Sequence, residues 1–189
     1  MSTNREGLSE FPVVDSQSWS SVGSVHDDLL EAKALVYDPS GFTCSRPVAE
    51  VESADYGAHE FALDGYAIRF RAAKVTPMKV GQFATVWTRS ADGPIQPFDS
   101  EDPVDLVVIS TRDGGHFGQF VFGREVLCER EIMSRNGIGG KRAFRVYPPW
   151  VTTTNPQARR TQAWQLNHFL PIGHDGPVDF ARAHVLYHP

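Results

Sequence analysis

Up to His26 the chain is Ser-rich and charged with no sustained period, and from there a helical pattern begins. The run Asp27-Asp28-Leu29-Leu30-Glu31-Ala32-Lys33-Ala34-Leu35-Val36 sets apolar residues at helical spacing behind an acidic first turn. Asp38-Pro39-Ser40-Gly41 stops it. After a polar connection the period shortens to two. Phe61–Leu63 and Tyr66–Lys74 flank Asp64-Gly65, a two-residue turn signal, and so predict a hairpin. β-Branched and aromatic runs at Phe83–Thr88, Leu106–Ser110 and His116–Phe122 predict further strands, the last two joined by a turn at Asp113-Gly114-Gly115. Arg124–Glu131 reads as a short helix and Ala143–Tyr147 as a strand. Asn155-Pro156 places an N-cap residue before proline at the first helical position, opening a helix over 155–170 that Pro171 and Gly173 close. This order predicts an α/β or α+β single domain with a central mixed β-sheet flanked by helices. Residues 1–24 read as a loosely ordered or partly docked leader, 25–173 as the domain, and 174–189 as an unassigned C-terminal tail.

Two of these elements have informative faces. On the last helix, Ala158, Ala163, Leu166, Phe169 and Leu170 share the side expected to face the core, leaving Arg160, Thr161, Trp164, Asn167 and His168 opposite. Trp164 beside arginine on a polar face either packs under a loop or offers a flat surface to a base. On the hairpin strand, Ala67, Arg69, Arg71 and Ala73 share one face, and Tyr66, Ile68, Phe70, Ala72 and Lys74 the other.

Charge changes the picture more than composition does. The 41% of apolar residues suffices for the core of one domain, while the net charge of −5 conceals a segregation. Tyr66–Ala91 contains no acid and five cations, Arg69, Arg71, Lys74, Lys79 and Arg89. Ile132–Gly173 contains no acid and six, Arg135, Lys141, Arg142, Arg145, Arg159 and Arg160. A surface built for solubility alone mixes both signs, so the two islands point to a polyanionic partner. No run approaches the roughly 18 apolar residues of a membrane helix, and the N-terminus lacks the pattern of a signal peptide, which predicts a cytoplasmic protein. Cys44 and Cys128 stand apart from each other and from any CxxC or HxxxH spacing, so neither a disulfide framework nor a zinc site is signalled.

The chemistry-bearing residues are few. Metal-dependent nucleases of the restriction-endonuclease type need an early acid in a hairpin and an acid-x-lysine pair on its second strand, whose carboxylates hold the cation that polarises the phosphate. Here the second strand ends Arg71-Ala72-Ala73-Lys74: the lysine is present, Glu60 and Asp64 lie upstream, and the second carboxylate is alanine. Gly137-Ile138-Gly139-Gly140 is a flexible loop or surface turn without the spacing of a P-loop. The acidic run from Asp99 to Asp105 lacks the spacing of a calcium loop. His116 and Gln119 have no nucleophile at a recognised spacing and read as structural.

From about Phe42 to Ile172 the chain resembles the MepB family, bacterial proteins named after a multidrug-efflux operon. The resemblance rests on Ala73-Lys74-x-Thr76-Pro77-x-Lys79-x-Gly81-Gln82-Phe83, Trp87-x-Arg89, Ile95-Gln96-Pro97-Phe98-Asp99 and His116-Phe117-Gly118-Gln119-Phe120. It continues through Lys141-Arg142-Ala143-Phe144-Arg145-Val146-Tyr147-Pro148-Pro149-Trp150 and Thr161-Gln162-x-Trp164-Gln165. The resemblance implies a fold similar to the PD-(D/E)XK endonucleases, without that fold's catalytic carboxylates, and a role in binding nucleic acid.

The first reading is therefore a nucleic-acid binding protein, favouring single-stranded DNA or RNA. Arg69, Arg71, Lys74, Lys79, Arg89, Lys141, Arg142, Arg145, Arg159 and Arg160 supply phosphate contacts, Trp150 and Trp164 stack on bases, and no cofactor is expected. A second reading is an active nuclease that holds Mg²⁺ with Glu60, Asp64 and Asp105 and uses Lys74. A third is a stress- or drug-resistance-linked accessory protein that holds a phosphorylated small molecule or an acidic partner.

Overall fold

The computed structural model describes residue 19 and residues 24–89, 93–173 and 176–189. Helix α1, Asp27–Ala32, continues as a wider π turn over Lys33–Tyr37. Then come β1 (Val48–Ala49), a 3₁₀ segment (Val51–Tyr56), β2 (His59–Leu63), β3 (Tyr66–Ala72), β4 (Lys74–Thr76), β5 (Lys79–Thr85), β6 (Trp87–Arg89) and β7 (Ile95–Pro97). The chain goes on through β8 (Leu106–Asp113), β9 (His116–Gly123), α2 (Arg124–Glu129), β10 (Ala143–Val146), α3 (Pro156–Gln165), β11 (Phe169–Pro171) and α4 (Phe180–Tyr187). The hairpin turn forms as expected, with Asp64 at φ 47° and Gly65 at φ 87°, the left-handed pair that matches strand twist.

Six strands make the central sheet in the order β1-β2-β3-β8-β9-β11. The β3–β8 pair is parallel and the others are antiparallel, so the sheet is mixed. The long connection from β3 to β8 contains β4 to β7. β4 and β5 join β10 in a three-stranded sheet of order β10-β5-β4, and β6 pairs with β7. Alternation along β8 separates two cores. Leu106 and Val108 pack with Leu29, Val36 and Tyr37 of the first helical segment and with Leu186 and Tyr187 of α4. Val107 and Ile109 pack with Ala84 and Val86, with Leu127 of α2 and with Val146 of β10.

Two sequence expectations are corrected by long-range contacts, and two segments outside the expected domain gain a place in the fold. The last helix ends at Gln165, because Arg182 of α4 donates to the carbonyls of Leu166 (3.1 Å), Asn167 (3.1 Å) and Phe169 (2.7 Å), capping the turn there. Phe169 and Leu170 therefore belong to strand β11, and Ala163, assigned to the core side, is exposed. Lys74 does not share a strand with Ala72. β3 ends at Ala72, which packs in the core, and Lys74 opens β4 in the other sheet. Inside the expected leader Trp19 is 1% exposed, edge-on to Phe61 (5.4 Å) and under the ammonium of Lys33 (5.2 Å). The rest of residues 1–18 and 20–23 lies outside the described residues. The tail left unassigned forms α4, whose Tyr187 is fully buried and donates to Gln119 Oε1 at 2.6 Å.

Candidate functional site

The three arginines of the first basic island are folded onto carboxylates. Arg69 and Arg71 share a face of β3 as the alternation requires, and that face lies against Glu50. Arg71 is 0% exposed and forks onto Glu50 through two bonds of 2.9 and 2.8 Å. Arg69 pairs with Glu60 and Glu50, and Arg89 with Glu52 at 2.6 Å. These three arginines, expected to grip phosphate, are each paired with a carboxylate. The acids responsible lie before the island in sequence, where a charge profile places them in a separate acidic block. Lys74 and Lys79 remain exposed, Lys74 with its ammonium 4.5 Å from the ring centroid of Tyr56.

The carboxylates offered for Mg²⁺ are dispersed. Glu60 is taken by Arg69. Asp64 accepts from the Thr43 amide at 2.7 Å and meets His188 Nε2 at 3.0 Å. Asp105 accepts from the Ala67 amide at 2.8 Å and from Arg124 at 3.2 Å. Among the described residues, no three His, Cys, Asp or Glu side chains are grouped so as to hold a metal ion. These residues do not fit a nuclease metal centre, because each anion already serves a turn, a strand end or an ion pair.

Two cations of the second island, Lys141 and Arg145, line a cleft of about 490 Å³ between β10 and α3. Asn155 caps α3 by accepting from the Ala158 amide at 2.8 Å, with Pro156 next, as the sequence indicates. Gln165, fully buried, donates to the Arg145 carbonyl (2.9 Å) and accepts from the Tyr147 amide (2.9 Å), so its amide group pairs with the β10 edge as a strand would. Gln162 donates to the carbonyls of Pro148 (3.0 Å) and Val151 (2.8 Å), which holds the proline-rich turn after β10. These two glutamines fix the distance between the cleft's walls.

Of the residues expected to contact nucleic acid, Lys141, Arg145 and Trp164 line the cleft, together with Arg130, Phe144 and Tyr147, which the sequence reading does not single out. The guanidinium of Arg130 lies 5.0 Å from the ring centroid of Trp164, whose ring packs 5.4 Å from Phe122. Arg130 was hidden because it falls in a sequence block dominated by acids, and only its stack on Trp164 marks it. Arg145 donates to Thr76 Oγ1 at 2.6 Å and to the Gly81 carbonyl at 3.1 Å, which pins it to the small sheet while leaving its charge uncompensated. None of Arg130, Lys141, Arg142, Arg145, Arg159 and Arg160 makes an ion pair with a described carboxylate. Arg142, Arg159 and Arg160 are exposed outside the cleft lining. Trp150 is also outside it, stacked on His116 at 5.0 Å with an 11° interplanar angle. Near the cleft, burial lowers the His168 pKa, and the charges of Arg182 and Arg130 lower it further. The Gly137 turn is anchored on Asp99, whose carboxyl is held at about 2, chiefly by the Ser134 hydroxyl and then by the Gly137 and Glu101 amides.

Fold and site together define a single mixed α/β domain with a basic, aromatic-lined cleft. A search of curated proteins returned no match. The crystal structure of MepB aligns with 68% of this chain and 86% of its own, at a TM-score of 0.65 and 37% sequence identity. Residues 50–171 match the model of the MepB-like family. The chain belongs to that family.

Proposed function

We propose that the protein binds nucleic acid in the β10–α3 cleft without cutting it, and takes single strands in preference to duplex. The observation that carries this reading is the meeting of uncompensated cations with aromatic rings in one cleft: Arg130, Lys141 and Arg145 beside Phe144, Tyr147 and Trp164. Cations without carboxylate partners gain from phosphate by releasing its counterions, and flat rings gain from bases exposed only in single strands. The separate partners of Glu60 and Asp105 support binding over hydrolysis, since among the described residues no three metal-ligating side chains are grouped to hold a cation.

Titration of fluorescent oligothymidylate across a salt series tests this. Binding is expected to weaken with a log–log slope of about −0.7 per phosphate contacted, and Arg130→Glu with Lys141→Glu to lower affinity at least about tenfold. The strand stays intact with Mg²⁺ or Mn²⁺ as it does with EDTA. Affinity that ignores salt and both substitutions would overturn the reading. Mononucleotide binding as tight as that of the oligomer would favour a phosphorylated small molecule instead, for which the cleft volume is also sufficient.

A further inference from the structure

The three-stranded sheet carries a second surface on the face turned away from the core. Its register sets Lys74 of β4 and Arg145 of β10 directly opposite Phe83 of the middle strand, one on each side. Thr76 accepts from Arg145 on this face and pairs with Lys79 across the bulge at Gly81, which adds Lys79 to it, while Gln82 and Ala84 point inward and are 1% and 0% exposed. Tyr147 closes over Gly81, where a Cβ would come within 2.7 Å of two ring carbons, so only glycine admits the ring so close to the sheet. At the other end Tyr56 lies 6.2 Å from Phe83 between ring centroids and under Lys74. Arg145 Cζ stands 5.8 Å from the Phe83 centroid.

The result is a layer in which Tyr56, Phe83 and Tyr147 are interleaved with Lys74, Lys79 and Arg145. None of the three cations is paired with a described carboxylate. Arg145 and Tyr147 also line the cleft, so the layer and the cleft are continuous. We propose that this sheet face is a base-stacking platform that extends the cleft, so that one single strand occupies the cleft and then crosses the sheet. The inference rests on the cleft being a nucleic-acid site. Charge complementarity selects a polyanion, and the rings select one whose bases are unpaired, because a duplex keeps its stacking surfaces inside. The cleft alone then takes only a short piece of strand, and length adds affinity through the platform.

Binding of trithymidylate and dodecathymidylate to the full chain, each across a salt series, tests the platform. With the longer strand, Lys74→Ala combined with Lys79→Ala is expected to make the salt slope shallower by about 1.4, two phosphates at about 0.7 each. Phe83→Leu, which keeps apolar volume and removes the flat ring, is expected to lower affinity about fivefold with the slope unchanged. With the trinucleotide neither substitution has an effect. Equal losses on both strands would overturn the platform, since the residues would then act on the cleft itself, and so would the absence of loss on either. If the wild-type chain binds neither strand, the cleft reading falls and takes this one with it.

Discussion

Arg71 has no solvent contact, and its two terminal nitrogens both reach Glu50. A guanidinium in that position remains charged, so its partner sets the stability of the site rather than its affinity for a ligand. Glu50→Gln is expected to destabilise the fold by about 3 kcal/mol, read as a lower urea midpoint, because it strands a buried charge. The double substitution Glu50→Leu with Arg71→Met should recover most of that loss, as removal of a whole buried pair does. If the single change proves neutral, Arg71 is not held as described. The same residues show the limit of a linear charge profile. The cations of Tyr66–Ala91 are legible in the sequence, but the pairing of three of them, Arg69, Arg71 and Arg89, with Glu50, Glu52 and Glu60 is not, because pairing depends on which strand face meets which loop. Cys44 is a simpler case: it is free and buried, and burial raises its thiol to about 12, in keeping with a packed cysteine.

At the scale of elements, local signals were read well wherever they act locally. The Asp64-Gly65 turn, the Asn155-Pro156 helix start and the alternation in β8 and β9 all follow from neighbouring residues, and all are present. Element ends were read less well. α3 stops at Gln165 because Arg182, 16 to 13 positions further on, caps the carbonyls that follow. β3 yields to β4 after Ala72 because the next residues pair with β5 instead. Gln165 shows how one side chain can complete an element: it stands in for a missing strand at the edge of β10. Gln165→Ala should therefore cost about 2 kcal/mol and speed hydrogen exchange at the Tyr147 amide. It should also loosen the cleft and weaken oligonucleotide binding. Unchanged exchange at Tyr147 would show that the edge does not depend on this glutamine.

For the whole molecule, the C-terminal helix is part of the core rather than an appendage. Tyr187 is fully buried, edge-on to Tyr37 at 5.4 Å and bonded to Gln119, and Ala183 and Leu186 are buried beside it. Tyr187→Ala is expected to cost about 3–5 kcal/mol in chemical denaturation, the range for removing a large buried ring, while Tyr187→Phe costs about 1 kcal/mol for one hydrogen bond. A mild effect of the alanine variant would mean that α4 is dispensable. Family membership, the mixed α/β class and the second basic island could be read from the chain alone, because motifs, periodicity and sign segregation are properties of residue order. The partner of each charge could be decided only by the tertiary structure. Coulomb pairing depends on distance in space, and folding brought Glu50, Glu52 and Glu60 onto the arginines of one island while leaving Lys141 and Arg145 of the other, with Arg130 beside them, open at a cleft.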